Sequence, residues 1–188
     1  MDRIQKIIDE SVLLHSRLSG IVPVISEAAG MMVGALAGGN KIMFAGNGGS
    51  AADAQHLAAE LVNRFQKNRQ PLAGLALTTD TSIMTAVGND FSFEEIFSKQ
   101  VRALGRKGDV LVGISTSGSS KNIIRALDEA RSMGISTVAL TGEAGQIRDH
   151  ADCTISVPSK STPRVQEIHI LIGHILCEIV EDASARIV

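Results

Sequence analysis

Apolar positions in this chain switch repeatedly between a helical spacing and short continuous runs. The opening is amphipathic and predicts a helix over Asp2–Leu18 and a second over Pro23–Leu36, where Pro23 stands near a helix start that needs no N–H from it. Gly38-Gly39-Asn40 ends the second. Beyond it, β-branched and aliphatic runs predict strands at Lys41–Ala45, Leu72–Leu77, Val110–Ser115, Thr137–Thr141 and Thr154–Val157. Helical patterns fall between them at Ala51–Phe65, Ser82–Val87, Ser92–Leu104 and Lys121–Met133, and a long closing helix runs from Pro163 to the mid 180s.

Strands separated by helices imply a parallel sheet with right-handed crossovers. The fold class read here is α/β, a doubly wound five-stranded sheet of flavodoxin-like order 2-1-3-4-5, with extra N-terminal helices over about 1–37. In that order strands one and three are neighbours, and a ligand binds outside their carboxyl ends. Those ends carry Gly46-Asn47-Gly48-Gly49-Ser50 and Ser115-Thr116-Ser117-Gly118-Ser119-Ser120. The two loops richest in glycine and hydroxyl groups therefore fall where a ligand is expected.

Composition narrows the choice of ligand. A chain of 188 residues, 44% hydrophobic, supports one well-buried core and reads as a single domain over 1–188. The net charge is −2 with no basic run, and Trp and Tyr are absent, which argues against nucleic acid. Cys153 and Cys177 form no disulfide or metal motif, which fits a cytoplasmic protein. No signal peptide is expected, and the apolar stretch Ile168–Val180, interrupted by His169, His174 and Glu178, is too short to span a bilayer.

Five hydroxyls within Ser115–Ser120 exceed what a helix cap needs and predict a phosphate site. The loop lacks both the triphosphatase signature and a lysine, which favours a monophosphate. The turn Gly46–Gly49 lets backbone approach a ligand and offers Asn47 to sugar hydroxyls, but no acidic residue closes strand two, so a nicotinamide cofactor fits poorly. Directly after it, His56 and Glu60 stand four residues apart on one helix face, as a base, a metal site or both. On the closing helix, a turn of about 100° per residue brings Glu167 nearest the face of His174, with Gln166 farther round, so spacing leaves that cluster open.

The segments Gly46–Glu60, Val87–Asp90, Gly113–Ser120 and Arg164–His169 with His174 resemble, in the same order, the phosphoheptose isomerases of the sugar isomerase (SIS) domain family. The resemblance covers essentially the whole chain. It implies a cytoplasmic homotetramer that converts D-sedoheptulose 7-phosphate to D-glycero-D-manno-heptose 7-phosphate, towards bacterial lipopolysaccharide or related glycans. It implies one zinc ion per subunit on His56, Glu60, Gln166 and His174, so the resemblance, not helical spacing, selects Gln166 over Glu167. It further implies a substrate set of Asn47, Gly48, Gly49, Ser50, Glu60, Asn89, Asp90, Ser115, Thr116, Ser117, Ser120 and Gln166. Glu60 is then the base and His174 the partner acid/base. Pro163 stands where some relatives carry an acid, whose role does not transfer. The alternative is a non-catalytic sugar-phosphate regulator that binds the replication initiator; Glu60 and His174 favour the enzyme.

Overall fold

The five aliphatic runs all become strands of one parallel sheet, in the order β2-β1-β3-β4-β5, in a computed structural model that describes residues 2–184. The strands are β1 Ile42–Gly46, β2 Gly74–Ala76, β3 Val110–Ser115, β4 Ser136–Thr141 and β5 Cys153–Ser156. The helices are α1 Arg3–Ser16, α2 Val22–Ala37, α3 Gly49–Val62, α4 Thr81–Asp90, α5 Ser98–Leu104, α6 Lys121–Ser132 and α7 Thr162–Ala183.

Alternation along each strand explains why the sheet is covered on both faces. Successive side chains point to opposite sides. Ile42 and Phe44 of β1 join the core built with α2, α3 and α7, whereas Met43 and Ala45 join the core built with α5 and α6. β1 and β3 are buried along their whole length, as central parallel strands must be. Their register pairs Gly46 with Ile114, so the loops that follow β1 and β3 leave the sheet side by side.

Several elements differ from the sequence pattern, α3 and β2 for a tertiary reason, and α4 runs on to Asp90 rather than Val87. α3 stops at Val62 rather than Phe65, because its last carbonyls are taken from outside: the Arg69 guanidinium donates to Glu60 O at 2.7 Å and to Leu61 O at 2.8 Å. β2 keeps only Gly74–Ala76, since Leu72 N–H turns back to Leu61 O instead of joining the ladder. The expected helix Ser92–Leu104 divides into a 3-10 turn at Phe93–Glu95 and α5.

Among the described residues, Arg3–Ala37 and not Ile168–Val180 is the stretch long and apolar enough by length and composition to cross a membrane. It is two helices separated by a 3-10 turn at Leu18–Ile21. α2 buries Ile25, Ala28, Ala29, Met32 and Leu36 as a core helix does.

Candidate active site

At the crevice outside β1 and β3, both following helices begin without a side-chain cap. α3 starts after Gly48, whose backbone (φ 54°, ψ −120°) suits glycine and lacks a side chain to cap with. α6 starts after Ser120, which makes no capping bond. Its hydroxyl instead accepts from Ser115 Oγ at 2.9 Å, and Ser117 Oγ lies 3.5 Å from the same Ser115 hydroxyl. A helix N-terminus with uncapped N–H groups, ringed by neutral hydroxyls, is a site for an anion. Thr116 is tied back by its carbonyl, which accepts from Gly142 N–H at 3.2 Å, so the loop is anchored at its base.

The metal and acid/base candidates come together where α3 crosses α7. Gly173 permits that crossing, because a Cβ there would lie 2.5 Å from Leu57 Cδ2. The next residue, His174, brings its Nε2 to 2.9 Å from His56 Nε2, one ring donating to the other, and the rings meet edge to face. Glu60 Oε1 lies 3.3 Å from His56 Nε2. The Gln166 amide packs on Gly49 and reaches Asp53, its Nε2 being 3.4 and 3.5 Å from the two carboxylate oxygens. Glu167, which helical spacing favours, faces elsewhere: it pairs with Arg164 and accepts from Ser11 Oγ of α1 at 3.1 Å.

Two side chains that the sequence pattern did not single out complete this arrangement. Asp53 precedes His56 by three residues and Glu60 by seven, so the helical period places all three on one stripe; that spacing was the available signal. Burial raises the Asp53 carboxyl pKa above its ordinary value, opposed by the Gln166 amide and the charge of His56. Phe65, in the turn after α3, lies against His174 with ring centroids 5.4 Å apart. The Phe65, Gln66 and Lys67 N–H groups hold that turn by donating to the buried Glu181 carboxylate at 2.7 to 2.8 Å.

Asn89 and Asp90 end α4, both exposed, with the Asn89 amide donating to the Asp90 carboxylate at 2.8 Å. Among the described residues no hydrogen bond joins them to the two loops. Asn47 and Ser50 sit at the crevice, with Ser50 N–H donating to Asn47 O at 3.0 Å.

The donor set suits zinc by type, with two imidazoles, a carboxylate and a carboxamide oxygen. Atoms bound tetrahedrally at about 2.0–2.1 Å lie roughly 3.3 Å apart, a spacing that Glu60 and His56 match and that His56 and His174, at 2.9 Å, fall short of. Both measured separations centre on His56. Among the described residues no three His, Cys, Asp or Glu side chains are already gathered as a metal site, so Glu60 and Gln166 must turn to complete one.

Comparisons with known proteins bear on the whole chain. The family model described as the SIS domain matches residues 4–142. The phosphoheptose isomerase of Rhodospirillum rubrum is 56% identical over 168 residues, 89% of each chain. That of Aquifex aeolicus is 50% identical over 184 residues, 97% of this chain and 96% of the relative. The structure of phosphoheptose isomerase GmhA from Neisseria gonorrhoeae superposes with a TM-score of 0.91 at 45% identity, covering 96% of this chain and 97% of that one. A phosphoheptose isomerase from Francisella tularensis gives 0.92 at 39% identity, covering 97% and 100%.

Proposed function

Because the chain belongs to the SIS domain family and, within it, to the phosphoheptose isomerases, we propose that it converts D-sedoheptulose 7-phosphate to D-glycero-D-manno-heptose 7-phosphate. It is an enzyme of the sugar-phosphate isomerase class. The observation that carries the reading is the meeting of His56, Glu60 and His174 beside an uncapped, hydroxyl-rich helix start. The first group supplies acid/base chemistry, the second a seat for the phosphate.

The isomerisation moves one proton between neighbouring carbons and one between their oxygens. Glu60 takes the proton from C1 of the ketose and, once protonated, gives one to C2, while His174 takes the O1 hydroxyl proton and gives one to O2, so both residues end as they began. Ser115, Thr116, Ser117 and Ser120 hold the phosphate, and its binding energy fixes the reacting end against Glu60. Gly48, Gly49, Ser50, Asn89 and Asp90 line the sugar. His56, Glu60, Gln166 and His174 would hold zinc, which supplies charge stabilisation at the substrate oxygens. Glu60 then has two duties, and its basicity depends on loose contact with the ion. The enzyme works as a cytoplasmic homotetramer in the supply of heptose for bacterial surface glycans.

The test is aldose formation from sedoheptulose 7-phosphate by wild type and by folded Glu60→Gln and His174→Gln variants. Each substitution is expected to lower kcat at least about 100-fold, the range for a positioned acid or base. Full activity of Glu60→Gln overturns its role as base. Elemental analysis of protein purified without chelator is expected to give one zinc per chain, and His56→Ala to lose it.

A further inference from the structure

Across the crevice, the side chains of Asn47 and Asn122 face each other head to head. Asn47 Nδ2 donates to Asn122 Oδ1 at 2.8 Å, and Asn122 Nδ2 donates to Asn47 Oδ1 at 2.8 Å. Asn47 belongs to the glycine-rich turn after β1, half-buried, and Asn122 is the second residue of α6, only 3% exposed. The pair therefore ties the start of one ligand loop to the first turn of the helix that ends the other. A carboxamide has two N–H donors and an oxygen with two lone pairs. In this pair each side chain spends one donor and one acceptor on its twin, with the short geometry of well-formed bonds.

We propose that Asn122 is a positioning residue, and that the Asn47–Asn122 pair is a strap holding the sugar-facing turn at a fixed distance from the phosphate-facing loop. The proposal rests on the phosphosugar reading above and deepens it. Asn47 then serves the substrate through this strap, whatever its remaining donor and lone pair touch. The strap also explains why the turn can be glycine-rich. Gly48 and Gly49 bring no side chains to fix their position, and the bond to α6 supplies that fixity from outside. Preorganised loops spare the ligand the cost of ordering them, so the strap acts on affinity for a ligand long enough to touch both. Inorganic phosphate, which touches the hydroxyl loop alone, gains little from it.

A double-mutant cycle tests this. Sedoheptulose 7-phosphate and inorganic phosphate are titrated by calorimetry into wild type, Asn47→Ala, Asn122→Ala and the double variant, with KM and kcat measured on the same proteins. Each single substitution is expected to weaken sugar-phosphate binding about tenfold, the scale of one or two neutral hydrogen bonds. The loss appears in KM more than in kcat, and inorganic phosphate binding changes less than about twofold. The double variant is expected to match the singles, since either change alone breaks the strap. A further full loss when Asn47→Ala is added to Asn122→Ala means that the two side chains act independently, and overturns the proposal. Equal losses for sugar phosphate and inorganic phosphate overturn it too. If Asn122→Ala fails to fold, Asn122→Ser takes its place, because its hydroxyl is satisfied within the first turn of α6 but cannot reach both atoms of Asn47. A wild type that binds the sugar phosphate without isomerising it sinks the proposed reaction alone, and the binding cycle still decides the strap.

Discussion

His169 is buried to 1% exposure on the inner face of α7, and neither ring nitrogen has a hydrogen-bond partner. Burial pushes its pKa from 6.5 down to about 4, opposed in part by the backbone of Thr141. The imidazole is therefore neutral in the fold. Between pH 6.5 and about 4 the unfolded chain binds a proton that the folded chain refuses. Stability is full above that window and falls as the pH drops through it, by roughly 3 kcal/mol in total. His169→Leu removes the titration and the orphaned nitrogens together. Urea unfolding followed by circular dichroism, which suits a chain without Trp or Tyr, is expected to show the variant gaining on wild type by about that amount from pH 7 to pH 4. A difference that stays constant with pH refutes neutral burial. Sequence pattern could place His169 on an apolar helix and no more, because its solitude depends on what the β4 end of the sheet presents to it.

Where α3 crosses α7, the closeness that joins His56 to His174 depends on a missing side chain. A methyl group at Gly173 would overlap Leu57 Cδ2 at 2.5 Å and Cδ1 at 2.7 Å, and Leu57 is itself buried. Gly173→Ala is expected to cost about 1–3 kcal/mol, the usual penalty of overpacking. It also parts the imidazoles, so zinc content and turnover fall with it. Leu57→Ala opens the space, and the double variant is expected to be more stable than the sum of the two single losses allows. Simple additivity in urea midpoints would show that the two helices do not meet through this contact. Element by element, the strands and helices were legible because hydrophobic period reports burial directly, and the doubly wound order then placed the Gly46–Ser50 and Ser115–Ser120 loops together. The turn after α3 was not legible. Phe65 looks like the last residue of a helix until Glu181, more than a hundred positions away, collects three consecutive N–H groups and Arg69 takes the helix carbonyls. Likewise Asn122 reads as an ordinary helix residue until Asn47 is opposite it.

At the scale of the whole molecule, the first helix leaves the largest question of burial. α1 exposes Ile4 at 65%, Val12 at 63% and Leu13 at 54%, and Ile7 and Ile8 are also open. Of these, Ile7, Ile8 and Val12 line a groove of about 520 Å³ that runs from Ile7 to His15 and ends against Arg164 and Glu167 at the start of α7. An apolar stripe of this kind on a water-facing helix marks an association surface. The homotetramer proposed above predicts that other copies of the chain cover this stripe. The substitutions Ile8→Glu and Val12→Glu place charge on residues that are exposed within one chain, so the isolated fold loses about 0.5 kcal/mol or less. Buried between subunits, the same charges have no partner and are strongly unfavourable. Sedimentation velocity is expected to show a tetramer for wild type and smaller species for the double variant, with the circular dichroism spectrum unchanged. A variant that stays tetrameric would move the interface off α1, and a monomeric wild type would overturn the tetramer itself. If activity follows the loss of assembly while zinc stays bound, the covering subunit acts on the substrate end of the site; if zinc is lost as well, it acts by holding α7 against α3.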